Sequence, residues 1–131
     1  MENKEDKKVK MAFIDVNYVV NQSKDVKELK LENAQKNREL QIWLSKVNTN
    51  VIEQGTKAEK DSLLAQYNKE FAIRQNNIRQ DYNLKLQQID AKITNVIAEE
   101  AKKLDYDFIF AKGTLLYGGE DITLKIAELV K

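Results

Sequence analysis

The chain has 131 residues, one domain by length, and its 33% charged and 42% hydrophobic residues describe a soluble, ordered protein with a thin core. Its net charge of +1, from 22 basic and 21 acidic residues, lacks the basic footprint with which nucleic-acid binders neutralise phosphate. Cysteine and histidine are both absent, which excludes a disulfide framework, thiolate metal sites and a histidine base, and no apolar run reaches the roughly 18–20 residues of a membrane span.

In chain order, the charged run "KEDKKVK" reads as a solvated tail, placed at residues 1–9 and expected to be flexible. "KMAFIDV" alternates with bulky groups on both faces, Met11 and Phe13 one way, Ile14 and Val16 the other, and predicts a strand buried on both sides. "NYVVNQS" predicts a short helical turn that buries Val19 and Val20. Asp25 and Glu28 have the spacing of a capping box, which predicts the start of a longer helix.

Leu40, Leu44, Val47 and Val51 follow at steps of four, three and four, a heptad seam that weakens at "KLENAQKNREL". Gly55 suits the left-handed residue beyond a helix end, and Thr56 with Glu59 forms a second capping box. These signals predict the tip of an αα-hairpin. The return helix extends from about Lys57 to Leu104. Its seam is Leu64, Tyr67, Phe71, Arg74 and Ile78, then Tyr82 and Leu86, then Ile89, Ile93 and Val96. At 1.5 Å per residue it is roughly 70 Å long against roughly 45 Å for its partner. Its unmatched end, with Ile89, Ile93, Val96, Ile97 and Ala101, must pack on the short helix and the strands.

"YDFIF" and "TLLYG" predict two strands joined across Lys112-Gly113 as a tight hairpin. Thr123 is placed to cap a final helix with Ile126, Ala127, Leu129 and Val130 inward. The expected fold is α+β: a small β-rich trimerisation head, residues 10–23 and 89–131, with a long antiparallel helical-hairpin (coiled-coil) arm, residues 24–88, inserted between its strands. A head of about sixty residues is near the size at which one core becomes marginal, so it should oligomerise. Phe13, Phe108, Phe110 and Leu116 are the candidates for a core completed by neighbouring subunits.

Both ends carry a resemblance. "MAFIDVNYVVNQS", with Asp15-Val16 and the paired Val19 and Val20, resembles the opening strand and short helix of the Skp/OmpH-like periplasmic chaperones. "YDFIFAKGTLLYGGEDIT" resembles their closing hairpin in Tyr106, Lys112, Tyr117 and the Asp121-Ile122-Thr123 triplet, and Gly55 sits where that family reverses its arm. The resemblance spans about Lys10 to Lys131; within the arm it is one of length and texture. It implies a homotrimer whose heads form a β-barrel-like body, with three helical arms around a cavity that holds unfolded outer-membrane or exported proteins without ATP. The best-known members are strongly basic, whereas this chain is nearly neutral. The stretch "IRQDYNLKLQQIDAK" scatters its charges where those members cluster Lys and Arg against lipopolysaccharide, so no such site is carried over.

The expected function is therefore a periplasmic holdase, in a mature form from which a targeting segment has been removed, with room for a lipid anchor ahead of Met1. A wall rich in Gln and Asn with sparse large side chains offers many weak contacts without fixed register. Trp43, Tyr67, Phe71, Ile73, Tyr82 and Leu84 are the candidate client contacts. Large side chains at helical spacing are ordinarily seam packing, which makes the off-seam Ile73 and Leu84 the better candidates. The alternative is a trimeric coiled-coil structural or adaptor protein that docks a specific envelope partner. An enzyme is not expected, nor a cofactor or metal: Asp105 and Asp107 have no base, nucleophile or phosphate-cradling loop beside them.

Overall fold

The computed structural model describes residues 8–131, so residues 1–7 of the expected tail lie outside the described residues. The chain runs β1 (Met11–Ile14), α1 (Val16–Gln22), α2 (Lys24–Ile52), α3 (Lys57–Lys103), β2 (Phe108–Ala111), β3 (Glu120–Asp121) and α4 (Thr123–Val130). It is a mostly helical α+β protein with a long helix pair and a small parallel sheet. It divides into two compact units, the described part of Met1–Lys27 with Gln87–Lys131, and Glu28–Leu86.

In the first unit the sheet order is β2-β1-β3, so the strand from the start of the chain lies between two from its end. Both neighbours are parallel to β1, with Met11 opposite Phe108 and Ala12 opposite Glu120. The hairpin expected across Lys112-Gly113 is therefore not formed, and "TLLYG" is no strand. Strands β2 and β3 run the same way on opposite sides of β1, so residues 112–119 must return along the sheet and cross β1. Gly113, Gly118 and Gly119 take positive φ in that crossing. A Cβ on Gly119 would meet Leu115 Cδ1 at 3.3 Å and Phe13 Cδ1 at 3.4 Å, so this part of the crossing lies against Phe13.

The period of two places Ala12 and Ile14 on the buried face of β1. They join Val19, Ile93, Tyr106, Ile122, Ile126 and Ala127 in one core, against which Val20, Ile89, Ile97, Ala101 and Ile109 pack. The apolar end of α3 is thus covered by α1, α4 and the sheet. Met11 and Phe13, on the other face, are only half-buried, so β1 is not fully buried on both sides. Val16 belongs to α1 and is exposed.

Two expected caps differ, and α1 has one that the sequence reading did not name. Asp15 caps α1, its Oδ1 accepting from Tyr18 N at 3.1 Å. Ser23 rather than Asp25 caps α2: its hydroxyl accepts from Val26 N at 3.3 Å, while Asp25 sits in the first turn and pairs with Lys92 at 2.8 Å. Thr123 is the first residue of α4 and not its cap; Asp121 Oδ1 accepts from both Thr123 N (2.9 Å) and Thr123 Oγ1 (2.5 Å). That leaves the Thr123 hydroxyl oxygen to accept from Asp15 N at 2.9 Å, which ties the β1–α1 junction to the start of α4. On α4, Ile126 and Ala127 are buried as expected, but Leu129 is half-exposed because it falls on the outer side of the turn.

In the second unit α2 and α3 run antiparallel: Glu32 meets Lys85, Lys36 meets Asp81, and Trp43 and Asn50 meet Tyr67. Leu40 is buried, and Leu44, Val47 and Val51 are half-buried along the predicted seam. On α3 the seam residue is Leu63, not Leu64, which is 40% exposed, because the steps to Tyr67 and Phe71 are both fours. Thr56 Oγ1 accepts from Glu59 N at 3.1 Å, the cap expected from "TKAE". Gly55 does not take the left-handed conformation; the end of α2 is closed instead by Gln54 N donating to Val51 O at 3.1 Å.

Candidate functional site

Of the six candidate contacts, four are engaged in the helix pair. Trp43 is half-buried, with the Tyr67 ring edge-on at 6.0 Å and the Arg74 guanidinium 4.5 Å above its own ring. Glu70 fixes that guanidinium at 2.9 Å, and the Tyr67 hydroxyl accepts from Asn50 Nδ2 at 2.8 Å. Phe71 and Tyr82 are half-buried at seam positions. Ile73 and Leu84 are open to solvent, 48% and 56% exposed, and lie eleven residues, about three turns, apart.

Sequence reasoning passed over Leu31, Ile42 and Ile52, which are more or comparably exposed. Leu31 and Ile42 also lie eleven residues apart and fall on the side of α2 away from Leu40. The signal was present: both are apolar residues at positions the seam does not use. A shallow hollow of about 270 Å³ between the helices is lined by Lys36, Glu39, Leu40, Arg74, Asn77 and Ile78.

The weak part of the seam is filled by charge. Glu32 accepts from Lys85 Nζ at 2.7 Å and Asp81 from Lys36 Nζ at 2.7 Å, while Lys36–Glu32 (3.4 Å) and Lys85–Asp81 (3.3 Å) close a ring along each helix. Its hydrogen bond from Lys85 holds the Glu32 carboxyl below its ordinary range, and that from Lys36 does the same for Asp81. In turn Asp81 raises Lys36, and Glu32 raises Lys85.

In the first unit, Met11 and Phe13 on β1 and Phe108 and Phe110 on β2 share the sheet face opposite Ala12, Ile14 and Ile109, by register and alternation. The Phe108 and Phe110 rings stack at 6.0 Å with 29° between planes, and Phe108 is 53% exposed. Leu116 and Tyr117 are almost fully exposed in the crossing loop. An open hollow of about 540 Å³ lies between Phe13 and this loop, lined also by Lys112, Leu115 and Gly119. Phe13, Phe108, Phe110 and Leu116 thus stand apart from the buried core of the single chain, whose members are other residues.

The two aspartates at the end of α3 serve the junction. Asp107 Oδ2 accepts from Lys10 N at 2.8 Å while Asp107 N donates to Lys10 O, which aligns β1 with β2. Asp105 turns the chain with φ of 59°. The buried Tyr106 donates its hydroxyl to Glu120 and lies under Lys10 Nζ at 4.5 Å. No group of three or more acids suited to a metal occurs among the described residues, and no helix there is long and apolar enough to cross a membrane. The chain matches no protein-family model and no curated protein sequence.

Proposed function

We propose that the chain is a holdase-type molecular chaperone of the Skp/OmpH-like kind. It acts as a periplasmic homotrimer, joined through its sheets, whose helical-hairpin arms hold unfolded outer-membrane or exported proteins without ATP. The observation that carries this reading is the open apolar sheet face. Met11, Phe13, Phe108 and Phe110 line it, with Leu116 and Tyr117 exposed on the loop beside them. A parallel sheet is ordinarily covered on both faces, and a contiguous apolar patch on one side calls for a partner. Copies of the same head are the simplest cover, consistent with the resemblance at both chain ends.

The helix pair supports the holding role in a different way. Its largest aromatic residues are engaged in packing, while Leu31, Ile42, Ile52, Ile73 and Leu84 are singly exposed among polar neighbours. Such isolated apolar points give weak, unregistered purchase on an unfolded chain. The test is dilution of a urea-denatured outer-membrane barrel protein into buffer, followed by light scattering. An equimolar amount of trimer should suppress aggregation with no nucleotide present. Undiminished scattering would overturn the reading and favour an adaptor for one folded partner.

A further inference from the structure

We propose that the charge ring Glu32–Lys36–Asp81–Lys85 sets the register in which α2 pairs with α3. An apolar seam at steps of three and four is tolerant of sliding, because each layer resembles the next. Polar residues in a seam remove that tolerance, since only one alignment satisfies them. Here the signs alternate along both helices, acid then base four residues on.

The observed alignment places Glu32 opposite Lys85 and Lys36 opposite Asp81. A slip of one turn in one direction would set Glu32 against Asp81. The same slip in the other direction would set Lys36 against Lys85. A seven-residue slip is less decisive: one direction brings Lys36 against Arg74 and Glu32 against Ile78. The other would give Glu32 to Lys92 and Lys85 to Glu39 but leave Lys36 facing Gln88 and Asp81 facing Trp43, so it lacks the second cross-helix pair to Lys36 and Asp81. The side chains are 36–41% exposed, so the direct attraction is modest. The discrimination comes from the like charges that every one-turn slip creates.

The test uses exchanges that leave composition and net charge unchanged. One variant exchanges the α2 pair, Glu32→Lys with Lys36→Glu; a second exchanges the α3 pair, Asp81→Lys with Lys85→Asp; a third combines both. Each single exchange keeps the contacts along its own helix oppositely charged and opposes like charges across the pair. The combination restores opposite charges with the signs inverted. Trp43, the sole tryptophan, reports the alignment through Tyr67 and Arg74, both on α3. At low salt, each single exchange should lower the melting midpoint by about 5 °C and alter Trp43 emission and near-ultraviolet dichroism. The combined variant should recover most of both. Single exchanges that leave the Trp43 signals unchanged would overturn the proposal. So would a combined variant as perturbed as the two exchanges added together, including the case in which a single exchange unfolds the pair.

Discussion

At the scale of single residues, one hydroxyl ties the β1–α1 junction to the start of α4. Thr123 is buried, and its Oγ1 donates to Asp121 while accepting from Asp15 N. Thr123→Val keeps the shape and removes both contacts, leaving a part-buried N–H without its acceptor. The expected loss is about 1–3 kcal/mol, read as a lower urea midpoint at unchanged slope. A midpoint within error of the parent would mean that water replaces the hydroxyl at no cost. The Thr123 hydroxyl, then its N–H, also hold the Asp121 carboxyl below its ordinary value. A lowered carboxyl stabilises the fold above its unfolded titration range, and that contribution is lost as pH falls through the folded value.

The same reasoning applies to whole elements where the seam of α2 and α3 becomes polar. Glu32 and Asp81 are lowered from ordinary values of 4.5 and 3.8, so the ring's contribution is present at neutral pH and disappears with acid below that range. Lys36 and Lys85 are raised from 10.5, so the contribution persists through mildly alkaline pH and is lost only above that value. Between pH 7 and pH 3 the Trp43 signal should therefore melt at falling temperature. Glu32→Gln with Asp81→Asn should flatten that dependence while lowering the midpoint at pH 7. A double variant with the parent's full acid dependence would place the sensitive carboxylates elsewhere.

Elements also show where the sequence was readable. The two long helices, the Thr56 cap and the burial of Ile126 and Ala127 follow from spacing and capping, which are local. Strand β3 could not be read that way. It is two exposed acidic residues, Glu120 and Asp121, whose strand pairing is with β1 more than a hundred positions away. The nearby "TLLYG" has a strand's composition, but three glycines at positive φ carry it across β1 as a loop. The charge ring was half legible. Polar residues at positions 32 and 36 marked a weak seam, and only the antiparallel alignment shows that Asp81 and Lys85 answer them.

For the whole molecule, the proposed assembly and the proposed holding role stand together, because a cavity between arms would form only if the sheets associate. Phe110 lies half-buried on the open sheet face. Phe110→Asp would bury a charge in a shared interface, at a cost of several kcal/mol, and should yield monomers in sedimentation equilibrium. Helical dichroism separates a folded monomer from an unfolded chain. A folded trimer of this variant would remove the face from the interface. In the proposed trimer charge should contribute little to client affinity, since +1 per chain amounts to about +3 for three chains.

The most direct measurement is sedimentation velocity of the protein mixed with one equivalent of a labelled, unfolded outer-membrane barrel chain. The account predicts a discrete complex of three protein chains with one client. It also predicts an affinity that changes less than about threefold between low and physiological salt. Client that sediments apart from the protein, or a complex with a single protein chain, would contradict it.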